Sequence, residues 1–338
     1  MTQLSTHDTM RAAFVETAGA AFASRRLPLP VAGPGQVLVQ IEAAGLNPLD
    51  AKIRAGQAAH AKQPLPAVLG LDMAGTVRAV GAGVTQWRIG DEVFGMVGGV
   101  GGHPGTLAEF VAADARLLAR RPVALAPREA AVLPLAFITA WEGLVDRARV
   151  GAGHKVLVHG GAGGVGQMAV QLARARGAHV WATGRADSLD AIAALGATPI
   201  DYRATTLERY VADATGGVGF DIVYDTVGGA TLDQSFQAVR RYTGHVLTSL
   251  GWGSHSLAPL SFRGATYSGV FTLLPLLTGE GLAHHGKILA EAARLADQGL
   301  LRPWLDTHRF GLDEAEQAYA LMGSGTARGK IAVEITAV

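Results

Sequence analysis

Residues 36–42 (QVLVQIE) alternate apolar and polar positions, which predicts a half-buried strand. Residues 76–80 and 91–97 carry the same signature, and Gly81, Gly83 and Gly90 punctuate the turns between them. Short strands separated by glycine turns predict a partly closed antiparallel β-barrel in the first third of the chain. The pattern changes near Pro127. From there to Phe271, apolar strands at 155–159, 179–183, 221–224, 245–249 and 266–270 alternate with helical runs at 164–175, 189–195, 206–214 and 230–240. Such βαβ alternation predicts a parallel sheet covered by helices on both faces. A helix at 286–298, a short helix at 312–322 and a closing strand at 330–335 follow. That last strand is placed to rejoin the barrel, which would make the first domain discontinuous.

Composition narrows the class. In 338 residues, 49% are hydrophobic and 17% charged, the balance of a globular chain of about two domains. Lys+Arg 29 against Asp+Glu 28 leaves a net charge of +1, which gives no electrostatic case for nucleic acid or an anionic membrane surface. The opening MTQLSTHDTM has neither the basic start nor the apolar core of a signal peptide, and no stretch supplies ~20 apolar residues for a span. A soluble, cytoplasmic protein is expected. Gly 45 far exceeds the ordinary share of ~7%. Cys 0 removes disulfides, Cys-ligated zinc, iron–sulfur clusters and thiolate nucleophiles.

One motif carries most of the chemistry. Residues 155–166 read KVLVHGGAGGVG, an apolar strand, a turn holding Gly161-x-Gly163-x-x-Gly166, and a helix with apolar Val165, Ala169, Leu172 and Ala173. The first glycine permits the tight turn, the second lets backbone approach a pyrophosphate, and the third lets helix pack on strand. The helix N-terminus offers free N–H groups to the anion. Gly161, Ala162, Gly163, Gly164, Val165 and Gly166 are therefore read as a dinucleotide cradle. The alternative is a tight βα turn without a ligand. After the next strand, Thr183 and Gly184 precede Arg185, a cation suited to a 2′-phosphate, which favours NADPH over NADH. Asp187 competes as the acid for a ribose hydroxyl or, with Ser188, as a helix cap.

This segment resembles the glycine-rich stretch of the zinc-free, zeta-crystallin-like quinone oxidoreductases in the medium-chain dehydrogenase/reductase superfamily. Residues 44–56 (AGLNPLDAKIRAG), 68–83 (VLGLDMAGTVRAVGAG), 90–93 (GDEV), 130–144, 220–229 (FDIVYDTVGG) and 329–333 (GKIAV) agree in order and spacing. The resemblance implies a GroES-like barrel domain over residues 10–128 and 273–338, a Rossmann domain over 129–272, and an extension at 1–9. It places Asn47 where a side chain faces nicotinamide and substrate, although Asn before Pro48 also suits a plain turn. Asp50 would orient neighbours or cap a short helix. Lys52 stands where several relatives have tyrosine, and would donate a proton or be a solvated surface residue. The resemblance assigns Thr139, Tyr202, Leu250, Phe271 and Lys330 to the cofactor, against readings of Thr139 as a backbone-bonded core residue and Tyr202 as a strand-edge aromatic. His103 and Arg328 read as a mobile-turn histidine and a solvated arginine.

Zinc-dependent members of that superfamily hold catalytic zinc with Cys and His. Here Asn47 and Gly70-Leu71-Asp72 occupy the ligand positions, so no metal site is expected. Without a Lewis acid, hydride transfer favours acceptors that delocalise charge themselves, namely quinones or α,β-unsaturated carbonyls. The expected function is a zinc-independent, NADPH-dependent quinone or enone reductase. Alternatives are an enoyl-thioester reductase and a non-catalytic NADPH-binding sensor or structural protein. A homodimer through the last Rossmann strand is implied by the resemblance.

Overall fold

The computed structural model describes residues 9–335. The chain divides into two compact units, one running to Leu135 and resuming at Leu273, the other spanning Ala136–Thr272. The first unit opens with β1 (Thr9–Val15), β2 (Ala23–Pro28), β3 (Gln36–Gly45), β4 (Ala67–Val68), β5 (Asp72–Val80), β6 (Glu92–Met96), β7 (Phe110–Asp114) and β8 (Leu118–Arg120). β2, β1 and β4 form a three-stranded antiparallel sheet. The extension expected at 1–9 lies outside the described residues except for Thr9, which begins β1 and pairs with Pro28. β3 forms where it was expected and lies between β5 and β7, but Val37, Leu38 and Val39 are all buried, so it is covered on both faces there rather than half-buried.

The second unit holds β9 (Lys155–His159), β10 (His179–Gly184), β11 (Thr198–Asp201), β12 (Ile222–Asp225), β13 (His245–Thr248) and β14 (Thr266–Gly269). They make one parallel sheet in the order β11-β10-β9-β12-β13-β14. This is a Rossmann-type sheet, and its strand order reverses beside β9, where open α/β sheets bind ligands at their carboxyl ends. β11 is absent from the pattern-based reading, since TPID is short and contains proline. Leu157, Val223 and Val246 from three adjacent strands pack with Phe220, Phe236 and Leu232 into its core.

The chain then returns to the first unit through the helix Leu282–Asp297, which begins four residues before the expected start. The short helix expected at 312–322 is a 3₁₀ turn, Leu312–Glu314, followed by Ala315–Ser324. β15 (Phe310–Gly311) and β16 (Ala332–Glu334) follow, and β16 pairs antiparallel with β3, closing the discontinuous GroES-like domain. The glycine cluster at 95–105 also finds its reason here. A Cβ on Gly98 would stand 1.8 Å from the Pro104 carbonyl oxygen, and one on Gly105 2.3 Å from that of Leu69. At these two positions backbone lies on backbone, so side chains are excluded, whereas Gly102 has open space and is set apart by its positive φ. Among the described residues, no helix is long and apolar enough to cross a membrane.

Candidate functional site

In the second unit the apolar strand β9, fully buried at Val156, Leu157 and Val158, delivers the chain to the glycine-rich turn. The turn is fastened to β10: the Gly161 N–H donates to the Thr183 carbonyl at 2.9 Å, and the Gly160 N–H to Thr183 Oγ1 at 3.1 Å. A Cβ on Gly166 would come within 2.0 Å of the Gly160 carbonyl oxygen, so helix and strand touch backbone to backbone. The helix Gly164–Ala175 starts at Gly163 with no side-chain cap. Gly163 is exposed and Ala162, Gly164 and Val165 are half-buried, so the first-turn amides border solvent. An uncapped helix N-terminus behind a glycine turn with room on its outer side fits a pyrophosphate.

The neighbouring strand ends carry the other expected contacts. Thr183 and Gly184 are buried, whereas Arg185 and Tyr202 are exposed. Arg185 reaches Asp187 at 3.3 Å, so the cation read as a 2′-phosphate ligand already has an acidic neighbour. Ser188 occupies the N-cap position of the following helix but makes no side-chain cap bond; its hydroxyl donates to the Arg185 carbonyl instead. Along the carboxyl edge of the sheet runs a buried polar row that sequence reasoning missed. His159 Nδ1 meets Thr183 Oγ1 at 3.3 Å, and Thr248 donates to Asp225 at 2.8 Å. Burial holds the His159 imidazole neutral, with its pKa lowered to about 4. The Leu250 N–H donates to Thr248 Oγ1 at 3.0 Å, which ties that expected cofactor residue to the row. Thr139 is buried with its hydroxyl 3.0 Å from that of Thr272, and its carbonyl accepts from Tyr224. Phe271 is partly exposed against the edge of Trp252.

The first unit gathers a different set. Asn47 opens the short helix Pro48–Arg54, and its backbone N–H donates to Asp50 Oδ2 at 2.9 Å, the capping role weighed for that aspartate. Asp50 does more. Its Oδ2 also accepts from the Tyr319 hydroxyl at 3.1 Å, while Oδ1 is buried without a partner. The Asn47 side chain donates through Nδ2 to Asp72 Oδ2 at 2.9 Å, and Asp72 Oδ1 accepts from the Leu135 N–H at 3.0 Å. Lys330 Nζ donates to Asn47 Oδ1 and, at 2.8 Å, to the Leu46 carbonyl. Lys330, expected at the cofactor, is thus held inside the first unit against Asn47. Lys52, expected as catalytic, is exposed on the helix surface. His103 is bonded to the Leu276 carbonyl at 3.1 Å, and Arg328 is exposed.

Burial pushes the Asp50 carboxyl up to about 7, with the Asn47 bond pulling the other way. Burial likewise raises Asp72 to about 6 against the Lys330 ammonium, and lowers Lys330 against both carboxylates. The folded chain therefore holds a proton on Asp50 that the unfolded chain releases near its ordinary 3.8. That contribution to stability is present below about pH 4 and is lost as pH rises towards about 7. Asp50→Asn removes the term, so the variant should gain in melting temperature relative to the parent between pH 5 and pH 8, to be read by paired thermal unfolding. A constant difference across that range contradicts the assignment.

Two family models match the chain: the alcohol dehydrogenase GroES-like domain over residues 33–123 and the zinc-binding dehydrogenase over residues 195–333. The chain is 35% identical over 312 residues to 2-methylene-furan-3-one reductase of Solanum lycopersicum, covering 88% of this chain and 71% of that one. An alcohol dehydrogenase superfamily protein from Novosphingobium aromaticivorans superposes with a TM-score of 0.95 at 59% identity, covering 97% of this chain and 100% of that one. The chain belongs to the medium-chain dehydrogenase/reductase superfamily. The quinone oxidoreductase of Coxiella burnetii is similar at 29% identity and a TM-score of 0.83, over 97% of this chain and 100% of that one. A mycocerosic acid synthase-like polyketide synthase of Mycobacterium tuberculosis is 34% identical over 319 residues, 90% of this chain; the chain spans 14% of that protein's length.

As a medium-chain dehydrogenase/reductase member the protein is an oxidoreductase of a family that uses nicotinamide dinucleotides. The second unit supplies the uncapped helix and glycine turn that such a cofactor needs. Zinc, which one matching family's description implies, does not fit the donors present. Among the described residues no three His, Asp or Glu side chains gather as a metal-holding group, and the chain has Cys 0. Around Asn47 a buried ammonium already balances Asp72. Asp72 had a visible signal in sequence, being a lone acid in the apolar run LGLDMAG; Tyr319 had none, because its partner lies 269 residues away.

Proposed function

We propose that the protein is a zinc-independent, NADPH-dependent reductase of conjugated carbonyl acceptors, enones and quinones. The observation that carries this reading is the Asn47 amide, oriented by Asp72 and Lys330 with one Nδ2–H left for a carbonyl oxygen. Bound NADPH would supply the hydride. The glycine turn and helix N-terminus would hold its pyrophosphate, and Arg185 and Tyr202 would flank its adenosine end. Asn47 receives the acceptor's oxygen, where charge collects when a conjugated system is reduced. The activity of the Solanum lycopersicum relative supports the class: a 2-methylene-furan-3-one carries a double bond conjugated to a ketone. Polyketide-synthase relatives favour a second reading, in which the conjugated carbonyl is an enoyl thioester. A substrate panel of quinones, 2-alkenals, enones and enoyl thioesters with either cofactor decides, and absence of turnover with all of them refutes the proposal.

Two expectations accompany this reading. Arg185 shares its charge with Asp187, so Asp187→Ala should strengthen NADPH over NADH by about 3- to 10-fold in kcat/KM, a single-contact effect. Arg185→Ser should move the preference the other way, and steady-state kinetics with both cofactors checks the pair. The second concerns assembly, proposed as a homodimer through β14. This edge strand is largely exposed, and Tyr267, Phe262 and Tyr242 are exposed at 39%, 84% and 85%. An uncovered apolar edge of this kind invites strand pairing. Tyr267→Lys should convert the dimer to monomer by light scattering; a parent that is already monomeric refutes the interface.

A further inference from the structure

The Asn47 carboxamide sits between opposite charges. Its oxygen accepts from the Lys330 ammonium, and one of its Nδ2 hydrogens goes to the Asp72 carboxylate at 2.9 Å. Flipping the amide would put its NH₂ against the ammonium and its oxygen against the carboxylate, so charge fixes its orientation. The second Nδ2–H has no acceptor among the described residues. The Lys330 ammonium is also fixed, because it bonds both the Leu46 carbonyl and the side chain of the next residue. Lys330, Asn47 and Asp72 are 7%, 1% and 0% exposed, so water screens little of this field.

We propose that Lys330 is a positioning residue that polarises Asn47, making its free Nδ2–H an electrophile for the acceptor's carbonyl oxygen. A cation on an amide oxygen favours the resonance form with positive nitrogen, and so strengthens the remaining N–H as a donor. Asp72 opposes that polarisation through the other N–H, and its pull is shared with the Leu135 N–H at 3.0 Å. Its main effect is to hold the amide's orientation. This inference rests on the conjugated-carbonyl reading and deepens it. Hydride and its electron pair, from NADPH, form a C–H bond at the β-carbon of the acceptor. The π pair moves onto the carbonyl oxygen, which the Asn47 N–H meets. Water then protonates the α-carbon, and the carbonyl re-forms. An ammonium acting through an amide thereby takes the charge-stabilising part that a metal plays in zinc-dependent relatives. The class favoured is enones and enals whose charge gathers on one oxygen.

The test uses the full chain and its Lys330→Met/Asp72→Asn double variant, which removes both charges and leaves no orphan ion. With para-substituted phenyl vinyl ketones, kcat should fall about 30- to 300-fold, the scale of losing one charge-stabilising donor. The NADPH KM should move less than ~3-fold, since the change is confined to the carbonyl's partner. The rate should also depend more steeply on electron-withdrawing substituents, which a purely structural role would not change. Independently of turnover, infrared difference spectra of a ¹³C-carbonyl enone bound with NADP⁺ should show a red-shifted stretch in the parent that is lost in the variant. Unchanged substituent dependence and an unchanged stretch in a folded, active variant overturn the proposal, as does a parent without the shift. A parent that shows the shift but reduces no enone supports the polarised amide while refuting the reductase reading.

Discussion

Gly166→Val should abolish dinucleotide binding. The added Cβ would meet the Gly160 carbonyl oxygen at 2.0 Å and its carbon at 2.8 Å, and neither is a flexible side-chain end. Relief requires the helix Gly164–Ala175 to move off β9, carrying its first-turn amides away from the anion they would hold. Overpacking of this kind typically costs 1–3 kcal/mol, and backbone-on-backbone contact puts this site at about the upper end or beyond. Cofactor affinity should fall by at least ~100-fold, about 3 kcal/mol at 1.4 kcal/mol per tenfold. Fluorescence titration with NADPH reads the affinity, and thermal unfolding of the apo protein separates lost binding from lost fold. Retained affinity would mean that the cradle lies elsewhere.

Lys330→Met should be among the most destabilising single substitutions in the first unit. It leaves Asp72 buried without its cation, and deprives Asn47 Oδ1 and the Leu46 carbonyl of their donor. Breaking a buried pair from one side costs ~3–5 kcal/mol, whereas removing both charges is often far milder. Adding Asp72→Asn should therefore recover ~1–3 kcal/mol, a coupling typical of residues in one network. A urea double-mutant cycle measures it. Additive losses would show that the ammonium and the carboxylate do not sense each other.

Much of this architecture was legible in the chain because periodicity and glycine spacing are local signals. The alternation of QVLVQIE marked β3, and Gly161, Gly163 and Gly166 marked the tight turn from β9 into the helix Gly164–Ala175. β2 was not legible, because ASRRLP lacks an apolar alternation and is largely exposed. The first-unit network was half legible: Asn47 and Asp50 stood out, but Lys330 joins Asn47 from 283 residues away. Its placement depends on β16 pairing with β3, a long-range event that no local pattern encodes. His159 was in plain view at the end of β9. Nothing local distinguished it from an ordinary strand-end histidine, and its partner Thr183 comes from the next strand.

In sequence, Leu71 stood as a missing ligand, and Asn47 as both a missing ligand and a side chain facing the substrate. In the fold, the place is organised around a lysine, an amide and two carboxylates of raised pKa, a set suited to orienting a neutral donor.

The central claim, reduction of a conjugated acceptor without metal, is tested most directly by following NADPH oxidation spectrophotometrically. The purified chain would be offered an enone, a quinone, and a saturated aldehyde of similar size, each with and without a chelator. The account predicts turnover of the enone and the quinone, none of the saturated aldehyde, and no effect of the chelator. Reduction of the saturated aldehyde that the chelator abolishes and zinc restores would contradict it.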